Sequence, residues 1–252
     1  MTTLKDIPVA LDAKALAEKY RIRPGSDQVR QFEELVAEVQ EAGRPKALYE
    51  VAYIDDKGED WVSVGGVRLT SRVLRKNLEE AEKLFPYVAT CGVEADGLGA
   101  AGDDIRRKAW LYLLKGELLE IAVAHVQDHI GRHQQIAKLS SMNPGSGDAS
   151  VWPLTQQKEL FSLLGDVEGR IGVRLTESWL LIPEISVSGV FFPTEADFET
   201  CQVCHREHCP SRRAPFSEEA WRALCADEDD GRVETQAEPG GSRGPADPGG
   251  RG

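Results

Sequence analysis

Residues 103–133, DDIRRKAWLYLLKGELLEIAVAHVQDHIGRH, constrain the fold more than any other stretch, because they keep helical apolar spacing throughout and contain no proline. Their apolar face runs through Trp110, Leu114, Leu118, Ile121 and Val126. A helix this long needs a wide apolar surface to lie on, so it is read as the scaffold of the core.

The rest of the chain supplies that surface. LDAKALAEKY and SDQVRQFEELVAEVQEAG repeat apolar residues at three and four, with Ser26 as cap and Gly43 as stop, and read as two helices. ALYEVAYIDD and DWVSVGGVRL are β-branched and aromatic runs separated at Lys57-Gly58, which reads as a hairpin. TSRVLRKNLEEAEKLF returns to helical spacing, and PYVATCG reads as a short buried strand ending at Gly92. After a loop, SSMNPGSGDASVWP, Thr155 caps a helix QQKELFSLL that Gly165 ends; WLLIPEISVSGVFF is strand-rich, with Pro183 and Gly189 marking bends or edges. Strands and helices mix without βαβ alternation, which implies an α+β fold with an antiparallel sheet.

A hydrophobic share of 41% can fill a core in a chain of this length, and a formal net charge of -12 with no Lys/Arg-rich run argues against a nucleic-acid partner. The N-terminus lacks the apolar stretch of a signal peptide and no window approaches a membrane span, so the expected location is cytoplasmic, with no membrane partner. From Asp227 the sequence is acidic and rich in Gly and Pro, which reads as a disordered tail over 227–252. The expected organisation is an N-terminal helical segment (1–45), an α+β core (46–200), and a Cys-rich loop and helix (201–226).

Three of the five cysteines fall within CQVCHREHCP, residues 201–210. The CxxC spacing puts two thiolates on one turn, and Cys201, Cys204 and Cys209 offer three ligands from one loop. A fourth is Cys225, Cys91, His205 or His208. Zinc accepts mixed ligands and would make a structural clasp; an iron–sulfur cluster favours all-Cys ligation, and Cys209-Pro210 echoes ferredoxin-type endings. Free thiols or a redox disulfide are the remaining readings. Arg212 and Arg213 can lower thiolate pKa, pair with an anionic partner, or form a solvated basic turn.

Other chemistry-bearing features are weaker. His125, His129 and His133 share a helical stripe without a zincin motif and read mainly as a polar face. Thr176, Glu177 and Ser178 have the look of a capping box. Ser186 and Ser188 alternate on a strand and share one face, toward a ligand or toward solvent. No P-loop, dinucleotide glycine fingerprint, catalytic triad order or hydrolytic acid pair occurs.

The stretch LFSLLGDVEGRIGVRLTESWLLIPEISVSGVFF resembles the reactivation domain of cobalamin-dependent methionine synthase. The matching residues are Leu163, Leu164, Gly172, Leu175, Thr176, Glu177, Ser178, Pro183, Ser186, Val187, Ser188, Gly189 and Phe192. In the long helix Leu114, Leu118, Glu120 and Val126 fit the family pattern, with Asp103 and Asp104 at its acidic start. The resemblance spans roughly residues 75–198.

It implies a C-shaped antiparallel sheet flanked by helices, with S-adenosylmethionine in its groove, and a partner that carries cobalamin: a corrinoid protein or methionine synthase itself. The implied activity, for a free-standing short form, is reductive activation or methylation of that corrinoid protein; the family has no counterpart to the cysteine stretch, which as an iron–sulfur centre would supply a low-potential electron. The alternative is a non-catalytic corrinoid-protein-binding module with a zinc-held loop. The implied ligand residues are Glu120, Asn143, Pro144, Gly145, Ser146, Glu177, Ser186 and Ser188; the metal set is Cys201, Cys204, Cys209 and Cys225. One departure stands out. The family's loop reads Arg-Pro-Ala-Pro-Gly-Tyr, and here Ser141 and Ser146 replace the arginine and tyrosine, removing a charge-assisted fork from the ligand.

Overall fold

The computed structural model describes residues 1–99, 104–147, 151–195, 198–209 and 212–225; the acidic 227–252 stretch falls outside the described residues. The chain starts with β1 (Thr2–Leu4), too short for a period-two pattern to register. Two helices follow, α1 (Ala13–Lys19) and α2 (Asp27–Ala42). Asp12 caps α1 by accepting from the backbone N–H of Lys14 and Ala15. Ser26 holds the N-cap position of α2, but its hydroxyl donates to the Arg23 carbonyl instead of accepting from the helix.

The run at 47–56 is two strands, β2 (Lys46–Tyr49) and β3 (Ala52–Lys57), split at Glu50-Val51. Next come β4 (Trp61–Val64), β5 (Val67–Thr70), α3 (Arg72–Asn77) and β6 (Lys83–Thr90). Both β2 and β3 lie antiparallel along β6, with Tyr49 opposite Tyr87 and Ala52 opposite Leu84. The split lets the sheet fork: β1 extends it from β2, while β4 and β5 extend it from β3. Gly65 and Gly66, at φ 55° and 74°, turn the chain between β4 and β5, so the run at 60–69 folds back on itself instead of forming one strand. The helix expected over 70–85 ends at Asn77, with Leu78 as its C-cap. Burial of Leu84 and Phe85 on opposite faces of the sheet outweighs helical spacing there.

The long helix forms as α4 (Ile105–Gln134). Asp104 caps it by accepting from the N–H of Arg106 and Arg107, and Gln135, at φ 54°, ends it. Trp110, Leu111, Leu114, Leu118, Ala122, Val126 and Ile130 are buried along it, and Ile121 is half-buried. The remaining elements are β7 (Leu139–Met142), α5 (Gln157–Leu164), α6 (Val167–Ile171), β8 (Arg174–Leu175), β9 (Leu181–Ile182), β10 (Ser186–Pro193) and α7 (Glu218–Leu224). The expected loop after α4 therefore begins with a strand. Thr155 lies inside a 3₁₀ turn ahead of α5 and does not cap that helix.

β10 pairs antiparallel with β6 on one side and with β7 on the other, completing an antiparallel α+β fold. The N-terminal half of α4 packs with α1 and α2 around Phe32, Leu35 and Val39; its C-terminal half covers the sheet face of Ala47, Tyr49, Tyr87 and Phe191. On the opposite face Leu48 and Val88 meet Leu164, Val167 and Ile171 of α5 and α6. A further cluster, with Trp152 and Phe192 at zero exposure, joins β4, β5, α3 and α5 to the segment after β10.

Candidate functional site

The loop after β7 and the Ser-Val-Ser-Gly strand interlock through one side chain. The Asn143 carboxamide donates from Nδ2 to the Tyr87 hydroxyl (2.8 Å) and to the Ser188 carbonyl (2.9 Å). It lies directly over Gly189, where any Cβ would collide with Nδ2 and with the Met142 carbonyl. Gly189 thus marks neither a bend nor an edge: it sits mid-strand in β10 because the carboxamide needs the space. The Tyr87 ring stacks on Phe191 at 4.2 Å, and full burial pushes its hydroxyl up to about 12, with the Asn143 bond and the charge of Arg213 acting the other way.

Pro144 is buried beneath the turn, while Gly145, Ser146 and Gly147 are exposed. Gly145 donates to the Trp152 carbonyl at 2.8 Å and has φ 76°, and a side chain there would strike Leu154. Gly147, at φ 82°, faces Cys204, whose sulfur lies 3.5 Å from the position of a Cβ. The loop therefore bridges β10 and the Cys-rich segment.

Ser186 and Ser188 turn neither to solvent nor to this loop. By strand alternation their hydroxyls lie on the face opposite Asn143, where Ser186 donates to Thr90 Oγ1 at 2.8 Å and Ser188 is 3% exposed. The Ser188 hydroxyl has no hydrogen-bond partner among the described residues. Glu177 is exposed in the turn joining β8 to β9. The expected capping box is a hairpin closure: Thr176 accepts at Oγ1 from the Leu180 N–H (2.9 Å) and donates its own N–H to the Leu180 carbonyl (2.8 Å). Glu120 stands exposed on α4, 3.9 Å from Lys19. The candidate residues thus fall into separate groups, and Asn143 to Gly147 with Gly189 and Tyr87 form the one continuous arrangement.

Cys201, Cys204 and Cys209 occupy a 3₁₀ turn, Thr200–Val203, and the loop after it, while Cys225 ends α7 and Cys91 follows β6. Cys91, Cys201, Cys204, Cys209 and Cys225 are thiols outside any disulfide, and among the described residues no three His, Cys, Asp or Glu side chains are placed to hold a metal ion. Arg212 closes the loop instead. Its guanidinium donates to the carbonyls of Cys201 (3.0 Å), Ala214 (3.1 Å) and Cys204 (3.1 Å), and also to that of Arg206. Four acceptors on one planar fork are well suited to arginine and to no other side chain. His205 packs between Phe216 and Trp221, tying α7 to the loop, and a cavity of about 440 Å³ opens beside Cys204, His205 and Phe216.

On α4, His129 and His133 stack at 3.8 Å, and His129 also meets the Tyr49 ring edge-on. Burial, then the neighbouring His133, His125 and Arg132, hold His129 below its ordinary pKa. Tyr87 escaped the sequence reading, and Arg212 was noticed there only as a flank of the cysteines, not as the residue that closes the loop. Tyr87 had a usable signal, a polar-tipped aromatic in an otherwise apolar strand. Arg212 had none beyond its place next to the cysteines.

An antiparallel sheet crossed by one long helix, with a glycine-rich loop seated on the strand beside it, is the α+β architecture that positions these residues. Residues 103–209 match the family model of the vitamin B12 dependent methionine synthase, activation domain. Among solved structures it is similar to the crystal structure of the MetH reactivation domain bound to AdoHcy, with a TM-score of 0.53 and 17% identity over 76% of this chain and 72% of that one. No curated protein matches. None of the described helices is long and apolar enough to cross a membrane.

Proposed function

We propose that this chain serves a cytoplasmic corrinoid protein, or methionine synthase itself, as its activation component. It docks over the cobalamin-carrying domain and helps return that partner to its methylated state, with S-adenosylmethionine as methyl donor. The observation that carries this reading is the interlock in which Asn143 and Gly189, both inside the region that matches the activation-domain family model, meet Tyr87 from the strand ahead of it. It builds a fixed backbone cradle at Gly145 to Gly147, and the solved relative of the same fold holds AdoHcy. Bound S-adenosylmethionine would bring the methyl group. The chain's own residues would orient it: Asn143 sets the loop, and Gly145 and Gly147 allow a ligand to approach the backbone closely.

A second reading, a corrinoid-protein-binding module without methyl transfer, is favoured by Ser141 and Ser146, which lack the arginine and tyrosine of the family loop. Calorimetric titration with AdoHcy and S-adenosylmethionine, alone and with a cobalamin-loaded partner domain, separates the two. Binding of either nucleoside supports activation. Binding of the partner with no nucleoside affinity under any condition leaves the module.

A further inference from the structure

The loop lacks a cation at 141, but the fold brings one in from elsewhere in the chain. Arg212 and Arg213 are adjacent in sequence and differently employed. Arg212 is committed to four carbonyls. Arg213 is more than half exposed and reaches the Glu199 carboxylate at 3.3 Å. Its backbone N–H is anchored on the Cys201 sulfur at 3.5 Å, and Cys204, one turn on, faces Gly147 of the loop, its sulfur 3.5 Å from where a Cβ would stand. Arg213 therefore rises from the segment that flanks the loop. Its charge favours ionisation of the Tyr87 hydroxyl, against the larger effect of burial.

We infer that Arg213 is the carboxylate-binding residue of this site, holding the amino-acid end of an adenosyl thioether ligand in place of the arginine missing at position 141. The inference rests on the activation reading above. Three features favour it. A guanidinium fork matches a carboxylate in two parallel hydrogen bonds. One nitrogen of the guanidinium already lies 3.3 Å from the Glu199 carboxylate, so an anion fits beside it. An exposed pair of this kind is weak enough for an incoming anion to displace. In the unliganded protein Glu199 is thus an internal stand-in for the ligand's carboxylate, and it competes with the ligand.

The test compares two probes, AdoHcy and 5′-methylthioadenosine, which share the adenosyl thioether but differ in the amino-acid portion. In calorimetric titrations Arg213→Ala is expected to weaken AdoHcy about 10- to 100-fold and to leave methylthioadenosine within about twofold. Arg213→Lys, which keeps the charge and loses the fork, should fall between. Glu199→Gln keeps an acceptor on the turn and removes the competing charge, so AdoHcy should bind more tightly. Wild-type affinity for AdoHcy in a folded Arg213→Ala protein overturns the inference and leaves the activation reading standing. Equal losses for both probes also overturn it, since they indicate a displaced loop. No binding of either probe to the wild type overturns both.

Discussion

Leu118 and Arg212 each lie at the centre of a region, and the two regions are held by different means. Leu118, at zero exposure, sits where α4 passes from the helical cluster of α1 and α2 toward the sheet, and every neighbour it has in that cluster is apolar. Arg212 gathers four carbonyls of a loop that contains little regular structure. The first region gains stability from area removed from water, which is tolerant of direction; the second depends on hydrogen-bond geometry, which is not. A core of the first kind suits a scaffold, and a polar clasp of the second kind fixes the position of a short segment beside a site.

The largest test of this contrast is Leu118→Ala, expected to cost about 2–5 kcal/mol and to lower the urea midpoint of the whole protein. A loss under 1 kcal/mol would show that α4 is not the scaffold. Arg212→Ala should cost about 1.5–3 kcal/mol locally. Alkylation of Cys201 and Cys204 and hydrogen exchange over 201–214 should accelerate, with little movement of the global midpoint. Metal chelation should leave both rates unchanged; if chelation alone accelerates them, an ion and not Arg212 holds the loop.

Gly189→Ala probes the junction between the regions. It should cost about 1–3 kcal/mol, because the new methyl group meets the Asn143 carboxamide and the Met142 carbonyl. It should also weaken any nucleoside affinity. Asn143→Ala in the same background should recover part of the stability but none of the binding. A Gly189→Ala protein as stable as wild type would mean that the carboxamide does not lie on the strand.

The smallest effect belongs to His129. Its folded pKa lies below the ordinary 6.5, chiefly through burial, so the unfolded chain takes up the proton first as pH falls. Its contribution to stability is therefore complete above pH 6.5 and is lost below it. The groups around it are His125, His133, Arg132 and Asp128 on α4 and Tyr49 on β2. His129→Phe should flatten the fall in urea midpoint between pH 7.5 and 5.5, and an unchanged slope would remove His129 as its source.

The helices α1, α2 and α4 were legible because their apolar spacing continues for several turns, and the resemblance in 160–192 pointed to the family and the sheet. What stayed hidden depended on distant partners. β1 exists because β2 offers it an edge, and residues 83–85 are strand because Leu84 and Phe85 each meet a different layer. The site was legible as a loop, since Asn-Pro-Gly-Ser is turn chemistry, but its attachment to Tyr87, Ser188 and Gly189 spans 45 residues or more in sequence. Cysteine spacing carries no information about the arginine whose guanidinium gathers the carbonyls of this loop.

The pairing of β10 with β6 also bears on how the chain acquires its shape. Thr90 and Ser186, which face each other across it, are separated by 96 residues. Closing so distant a pair costs chain entropy before any contact repays it, which slows folding. During synthesis β6 is complete long before β10 emerges from the ribosome, and until then one of its edges stays unpaired with Phe85, Tyr87 and Val88 along it. A nascent chain stopped in α5 would therefore present an open apolar edge to its neighbours. This makes the middle of translation, and not the finished protein, the stage most exposed to aggregation.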